Sequence, residues 1–157
     1  MGYVAAKLGL EKLTSDRAED EELIAIVEND SCAVDAIQFL TGCTFGKGNL
    51  FFRDHGKHVY TFALRPSGTA VRISRRAEAP SARTGEDRDS RIRRMLSQDP
   101  EEMYDVQLTT VQLPPAAEVR QSVVCSGCSE PVMETRAVII EGKPYCLPCA
   151  AEKCPQE

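Results

Sequence analysis

The spacing of hydrophobic residues changes from helical to strand-like within the first quarter of the chain. Val4 and Leu8 lie on one side of a helix predicted over residues 2–13. The acidic run at 16–22 is typical of a solvated linker. The short apolar run at 23–27 predicts a buried strand. The chain therefore begins with a helix and a strand joined by a polar connection.

A second helix is predicted directly after this strand. Asp30 or Ser31 can cap a helix that runs from Cys32 to about Leu40. Gly42 can end it, because glycine readily takes the left-handed conformation found after helices.

The rest of the pattern before the proline pair 114–115 favours an antiparallel meander. The predicted elements are strands at 51–53, 58–64 and 71–74, a loop over 77–89, a helix within 91–104 and a strand at 106–113. There is no βαβ rhythm and no internal repeat. The fold class that follows is α+β, with an antiparallel sheet core and helices.

Beyond the prolines, cysteines rather than hydrophobic residues organise the pattern. Cys125-Ser-Gly-Cys128 and Cys146-Leu-Pro-Cys149 are two Cys-x-x-Cys pairs separated by seventeen residues. Four thiolates at about 2.3 Å from one ion make a closed tetrahedral zinc site. The spacing predicts one structural Zn²⁺ bound by all four cysteines. The alternatives are two redox dithiols, a pair of disulfides, or iron in the same four-sulfur site of an electron carrier.

The residues between and after the pairs predict the shape of this module. Residues 133–140 are β-rich, 141–143 form a turn, and 146–153 read as a short helix that carries the last two ligands. This arrangement resembles a treble-clef zinc finger, and the cysteine spacing also resembles the finger of a class of bacterial transcription regulators. So short a module cannot bury a stable core alone, so metal binding and folding should be one event. Cys154 lies beyond the finger and is predicted to be a free thiol.

Composition bounds the organisation of the chain. A length of 157 residues with 42% hydrophobic residues suits one domain and a small module, here 1–115 and 120–157. No apolar run approaches the roughly 18 residues that a membrane span needs. With no secretory signal and with cysteines in metal-binding spacing, a cytoplasmic location is expected.

Charge bears on a nucleic-acid or transcription-linked role, which is an alternative function for the finger. Eight arginines lie between residues 72 and 94, but four acidic residues are interleaved with them. A net charge of −5 and few aromatic residues favour a solvated, salt-bridged surface over nucleic-acid binding.

The second candidate site is in the core. Cys32 and Asp35 are three positions apart and can share one helix face. In the first turn the helix dipole favours a thiolate, which would make Cys32 a better ligand or nucleophile. We expect Cys32 to face a cleft near Asp35, Cys43 and Lys47, the last in the glycine-punctuated loop 42–49. Cys32, Asp35 and Lys47 are the catalytic candidates, and small buried packing is the alternative for Cys32 and Cys43.

The same stretch carries a family resemblance. NDSCAVDAIQFLTGCTFGKGNL at 29–50, followed by RDHGKHVYTF at 53–62, resembles the FmdE family, which is named after one of the subunits of formylmethanofuran dehydrogenase. The resemblance covers essentially the whole chain and implies an α+β core with an auxiliary C-terminal treble-clef zinc finger. It also implies an association with the molybdenum- or tungsten-dependent enzyme that reduces carbon dioxide onto methanofuran in methanogenesis. The chain would then be an accessory subunit or homologue of that oxidoreductase rather than a catalyst on its own.

The resemblance also implies a second metal or active site in the core. Family members usually carry a His-x-His-x-Cys-Pro-Gly segment just before the first helix, and this chain begins where that segment would end. In the family that segment works with the cysteine matched here by Cys32. We therefore expect a complete zinc site in the finger and an incomplete one in the core, where only His55 and His58 remain near a hairpin turn.

The resemblance and the strand pattern both predict a homodimer, with other dehydrogenase subunits as further partners. A single meander sheet has two faces to cover, and the predicted helices suffice for one. The alternating stretch 59–64 is the candidate for pairing between copies. Such an interface would bring two copies of the 46–48 loop into related positions and could build one composite site.

Overall fold

The computed structural model describes residues 1–79 and 85–154. It divides into two compact units, Met1–Ala117 and Glu118–Glu157, each of which is treated by itself below. The first unit contains α1 (Gly2–Leu13), β1 (Leu23–Val27), α2 (Ala33–Thr41), β2 (Leu50–Phe52), β3 (Val59–Leu64), β4 (Thr69–Arg75), α3 (Arg88–Ser97), α4 (Pro100–Met103) and β5 (Tyr104–Thr110). The predicted α+β fold class is confirmed.

One five-stranded sheet, in the order β2-β1-β3-β4-β5, organises this unit. Three of its four pairings are antiparallel, but β1 and β2 run parallel, with Ala25 opposite Leu50. The chain therefore makes a β1-α2-β2 crossover, so the prediction that no βαβ unit is present was wrong. β2 has only three residues, too few for an alternating pattern to reveal its direction.

Helices α1 and α2 pack against each other and against one face of the sheet. Gly9 of α1 lies directly over Phe62 of β3, and a Cβ atom at Gly9 would overlap the phenyl ring. Gly2 of the same helix lies equally close to the backbone of Ala33, at the start of α2. The two glycines therefore set how closely α1 approaches both the sheet and α2.

The stretch predicted to pair between copies is the central strand of the sheet. β3 lies between β1 and β4, so its backbone groups are already bonded within the chain. The strand at 59–64 therefore cannot join two copies, and that prediction was wrong. Ile24, Ala63 and Ala70, on the face away from the helices, are also buried, so these strands lack the exposed apolar surface expected there.

Local capping explains two differences in the second half of this unit. The helix predicted within 91–104 begins earlier, at Arg88, because the Asp87 carboxylate accepts hydrogen bonds from the backbone N–H groups of Asp89 and Ser90. It ends at Ser97, since Asp99 caps a separate short helix that begins with Pro100. Part of the loop predicted at 77–89 lies outside the described residues.

The connection after β5 is held to the first unit. The Arg65 guanidinium donates from Nη2 to the carbonyl oxygens of Pro114 and Pro115, at 2.8 and 3.1 Å. The Ala117 N–H reaches the carboxylate of Glu21. The prolines therefore belong to the first unit rather than to a free linker. None of the helices among the described residues has the length and apolar composition needed to cross a bilayer.

The second unit is made of two hairpins and a helix. β6 (Ser122–Val124) pairs with β7 (Pro131–Met133), and β8 (Val138–Ile140) pairs with β9 (Lys143–Tyr145) before α5 (Leu147–Lys153). A 3₁₀ turn at Glu134–Arg136 interrupts the stretch that was predicted to be β-rich. The buried residues of this unit are Cys125, Tyr145 and Ala150, a set too small to form a hydrophobic core of the usual kind.

Substituting Gly9 by alanine should destabilise the first unit. The new methyl group would gain up to about 1 kcal/mol of helix propensity but would collide with the Phe62 ring. Overpacking of this kind costs typically about 1–3 kcal/mol. We expect a net loss in the free energy of unfolding, measured by urea denaturation followed by circular dichroism.

Gly46→Ala is the matched control, because a Cβ atom there meets nothing within 4 Å. Its free energy of unfolding should stay within about 0.5 kcal/mol of the parent. Equal stability of Gly9→Ala and Gly46→Ala would contradict the close contact between α1 and β3.

Candidate functional site

The first Cys-x-x-Cys pair lies in the turn between β6 and β7. The backbone closes this turn through two hydrogen bonds, from Ser129 N–H to the Cys125 carbonyl and from Cys125 N–H to the Glu130 carbonyl, both 2.9 Å. Gly127, inside the pair, leaves room for the second pair: a Cβ atom there would lie 2.8 Å from the Cys149 sulfur. Glycine is therefore required for the two pairs to meet.

The second pair lies where β9 passes into α5. Cys146 is the N-cap of α5, and Cys149 lies in its first turn. The Cys146 N–H donates to the Cys125 sulfur at 3.2 Å, and the Gly127 N–H donates to the same sulfur at 3.4 Å. Backbone groups from both pairs thus converge on one sulfur atom.

The four sulfur atoms have the geometry of a metal centre. All of them lie within 4.8 Å of one another, and the Cys128 and Cys146 sulfurs are 3.9 Å apart. Metal–sulfur bonds of about 2.3 Å in a tetrahedron place sulfur atoms about 3.8 Å from one another. The four sulfurs therefore fit a zinc ion. The chain's seven cysteines are all free thiols, which contradicts the alternative of two disulfides.

Electrostatics also favour a cation at this centre. Hydrogen bonds from the backbone of Cys128 and Cys146 lower the pKa of Cys125 to about 6. The pKa of Cys149 rises to about 12, because its thiol bonds to Cys146 and is partly desolvated. One thiolate therefore forms readily and opposes ionisation of its neighbours. A divalent ion removes this repulsion, as a closed four-thiolate site requires.

The core candidates Cys32 and Asp35 lie at the start of α2. Cys32 is the exposed N-cap residue, and Asp35 lies in the first turn. Both line a cleft of about 500 Å³, whose apolar wall includes Phe45 and Phe52. The cleft lies at the carboxyl ends of the parallel strands β1 and β2, the place where open α/β sheets bind ligands.

Cys32 also lines a second, larger cavity of about 630 Å³ on the other side of the α2 N-terminus. We name it the arginine cavity, because Arg88 and Arg91 lie in its wall. His58 lines it as well, whereas His55 forms an exposed pair with Glu28 at 3.1 Å. The two histidines that the sequence grouped together therefore have different surroundings.

Neither Cys43 nor Lys47 lies in the cleft beside Cys32, contrary to the prediction. The Cys43 thiol is fully buried and bonds to the Leu23 carbonyl at 3.4 Å, and burial raises its pKa to about 11. This is the packing role that was the alternative. Lys47 Nζ donates to the carbonyls of Ala18 and Glu19, at 2.9 Å each. It holds the acidic connection in place, which is therefore not a loose linker.

The sequence analysis missed Asn49, whose side chain organises this region. Asn49 is fully buried, donates to the carbonyls of Asp20 and Leu23, and accepts from the Thr44 N–H. It thus joins the glycine loop, the acidic connection and β1. A polar residue directly before a short strand gave no sequence signal for this role.

Comparison with known families matches both units of the chain. Residues 1–113 match the family model described as FmdE, molybdenum formylmethanofuran dehydrogenase operon. Residues 120–153 match the model of the prokaryotic dksA/traR C4-type zinc finger. The four-cysteine cluster is thus a zinc finger by sequence family as well as by geometry.

Two individual proteins extend these matches. An Archaeoglobus fulgidus protein named "Probable S-adenosyl-L-methionine-binding protein" is 29% identical over 168 residues, covering 92% of this chain and 44% of the relative. The chain thus spans less than half the length of that relative. The crystal structure of an FmdE-like protein of tungsten formylmethanofuran dehydrogenase from Syntrophus aciditrophicus superposes with a TM-score of 0.68, at 19% identity, over 100% of this chain and 86% of that one. This second likeness concerns the fold.

Substituting Cys128 by serine should unfold the second unit and leave the first unit folded. The finger has almost no hydrophobic core, so losing one of four ligands removes its main source of stability. We expect amide NMR signals after about residue 120 to collapse to random-coil positions, while signals of residues 1–117 persist.

Cys154→Ser is the matched control, because Cys154 is exposed and outside the cluster. This variant should keep its zinc and its finger spectrum. Four thiols that are freely alkylated in the native protein, or a folded Cys128→Ser finger without metal, would contradict this assignment.

Proposed function

The chain belongs to the FmdE family, and from this membership we propose that it is a zinc-binding accessory protein of a molybdenum- or tungsten-dependent formylmethanofuran dehydrogenase. The observation that carries the proposal is the four-cysteine cluster appended to an FmdE core. A metal held by four protein sulfurs has no open position for substrate, so it stabilises structure and does not catalyse. The role proposed for the chain is therefore assembly or support of an oxidoreductase rather than catalysis on its own.

In this proposal the finger holds one Zn²⁺ per chain through Cys125, Cys128, Cys146 and Cys149. Zinc would supply no redox chemistry, only the charge that keeps four thiolates together. The iron alternative differs in a directly visible way, because ferric tetrathiolate is strongly coloured. A colourless protein with one zinc per chain supports the structural role.

The core contributes a binding surface in this proposal. Cys32 and Asp35 offer a thiol and a carboxylate in the cleft, beside the exposed Phe45 and Phe52. Among residues 1–79 and 85–154, however, the finger cysteines are the one group of three or more metal ligands. A second metal at Cys32 would therefore need ligands from elsewhere, such as another chain.

A homodimer is part of the proposal, now through a different edge of the sheet. β2 is an edge strand, and exposed aromatic rings at Phe45 and Phe52 lie beside it. Open strand edges next to apolar side chains are the usual place for pairing between copies. A contact there would place the two Cys32 clefts close to the interface.

S-adenosylmethionine binding is a second candidate function, favoured by the name of the Archaeoglobus fulgidus relative. The relative is more than twice as long as the matched part, so its ligand site need not lie in the shared region. Calorimetric titration of this chain with S-adenosylmethionine decides the matter. Saturable binding would support this candidate over the accessory role.

Zinc loading should control association with the dehydrogenase. We expect the zinc-loaded chain to co-elute with the purified dehydrogenase subunits and the Cys128→Ser variant to lose the association, because its finger is unfolded. Cys154→Ser, with the cluster intact, should behave like the parent. Failure of the zinc-loaded chain to co-elute would contradict the accessory role, and retention on duplex DNA instead would support the transcription-linked alternative.

Light scattering should give twice the mass of one chain at tens of micromolar. Phe45→Asp should shift the mass to that of a monomer, because it places a charge in the proposed contact. Leu108→Asp is the control: Leu108 is also exposed, but on β5 at the opposite edge of the sheet. A monomer mass for the parent chain, or equal effects of the two variants, would overturn the proposed interface.

A further inference from the structure

One face of α3 lines the arginine cavity. Arg88, Arg91, Ile92 and Met95 are spaced at intervals of three, four and seven residues, so they project from one side of the helix. All four are in the cavity wall. The face combines two guanidinium groups with two apolar side chains, a combination suited to a ligand that has both a charged and an apolar part.

Local interactions rather than burial keep α3 helical. Asp87 caps its first turn, and Arg94 forms a two-pronged ion pair with Glu86, at 2.7 and 2.8 Å. None of its ten residues is buried, and Ile92 is 43% exposed. By contrast, α1 buries seven of its residues. The apolar half of the cavity-facing side of α3 thus has no packing partner that buries it.

The charge of the cavity is opposite to that of the whole chain. The protein carries a net charge of −5, yet no aspartate or glutamate is among the described residues that line the cavity. Other basic side chains pair with acids: Lys12 with Glu101, Arg65 with Glu21, Arg76 with Asp105 and Arg94 with Glu86. Within residues 1–79 and 85–154, Arg88 and Arg91 form no ion pair.

The opposite wall of the cavity adds a second positive feature. Ser31, Cys32 and Ala33 line it at the N-terminus of α2, a helix of nine residues. The N–H groups at a helix N-terminus carry a partial positive charge and attract anions. His58 lines the same space. Positive groups from three separate elements therefore surround the cavity.

We propose that the arginine cavity binds a small organic anion, with its oxyanion head on Arg88 and Arg91 and its apolar body against Ile92 and Met95. Guanidinium forks match the geometry of carboxylate and phosphate oxygens. The volume of about 630 Å³ is that of a cavity for a small-molecule ligand. Binding also gives α3 the apolar contact that the rest of the chain does not supply.

This site does not depend on the accessory role, and it differs from S-adenosylmethionine binding. S-adenosylmethionine carries a sulfonium and an ammonium group against one carboxylate, so its net charge is positive. The cavity selects the opposite sign. A chain that binds organic anions but not S-adenosylmethionine would separate the two ideas.

Phenyl phosphate, benzoate and inorganic phosphate are suitable probes for the zinc-loaded full chain, followed by amide NMR. Phenyl phosphate should bind about tenfold more tightly than inorganic phosphate, because burying a phenyl ring against two apolar side chains contributes about 1–2 kcal/mol. The shifted amide signals should come from residues 31–33 and 88–95. The ratio of benzoate to phenyl phosphate affinity identifies which oxyanion the guanidiniums prefer.

Arg88→Gln and Arg91→Gln should each weaken phenyl phosphate binding about tenfold, since each removes a charge-assisted hydrogen bond. Arg93→Gln is the matched control: it removes the same charge from the same helix, but Arg93 does not line the cavity. Met95→Gln should reduce the preference for phenyl phosphate over inorganic phosphate while leaving inorganic phosphate binding unchanged.

Two outcomes would overturn the proposal. One is the absence of saturable shifts with phenyl phosphate and benzoate at millimolar concentrations. The other is an equal loss of affinity in Arg93→Gln and Arg91→Gln, which would indicate attraction by overall charge only. Because each variant's amide spectrum reports whether α3 is still folded, a loss of binding can be told apart from a loss of structure.

Discussion

The close approach of α1 to its two neighbours determines the architecture of the first unit. Gly9 lets the helix lie on Phe62, at the centre of the sheet, and Gly2 lets it lie against Ala33, at the beginning of α2. The position of α2 relative to β1 then follows, and with it the position of Cys32. Both the cleft and the arginine cavity open beside this helix start. Two missing side chains thus define where the core can bind anything.

The two units derive their stability from different sources. The first buries a continuous apolar cluster between one sheet face and two helices, the usual basis of domain stability. The second buries three residues beside four sulfur atoms and relies on a metal ion to hold two hairpins and a helix together. Conditions that weaken one unit, such as a chelator, need not affect the other.

Sequence patterns predicted the long elements and the cysteine cluster well. The bounds predicted for α1 and β1 agree with the structure, and Gly42 ends α2 with a left-handed φ of 71° as expected. These signals are local, since periodicity and capping depend on neighbouring residues only. The metal spacing is also local within each pair, and the family resemblance joined the two pairs.

Features that depend on long-range contacts were not predicted. The parallel direction of β2 is determined by where α2 packs, and three residues carry no record of it. Lys47 looked like part of an anion-binding loop, but its partners are carbonyl groups almost thirty positions earlier. The role of Arg88 and Arg91 becomes visible only when α3 is placed against α2, because their sequence neighbours are acidic and suggest ordinary surface pairing.

The metal dependence of the finger has a consequence for the lifetime of the protein in a cell. A segment of forty residues that folds only around an ion is an unfolded tail when the ion is absent, and proteases cleave unfolded tails first. Binding shifts folding by mass action, so the fraction of chains with an intact C-terminal unit follows the concentration of available metal. Turnover of the chain would then report zinc supply, although neither unit was shaped as a sensor.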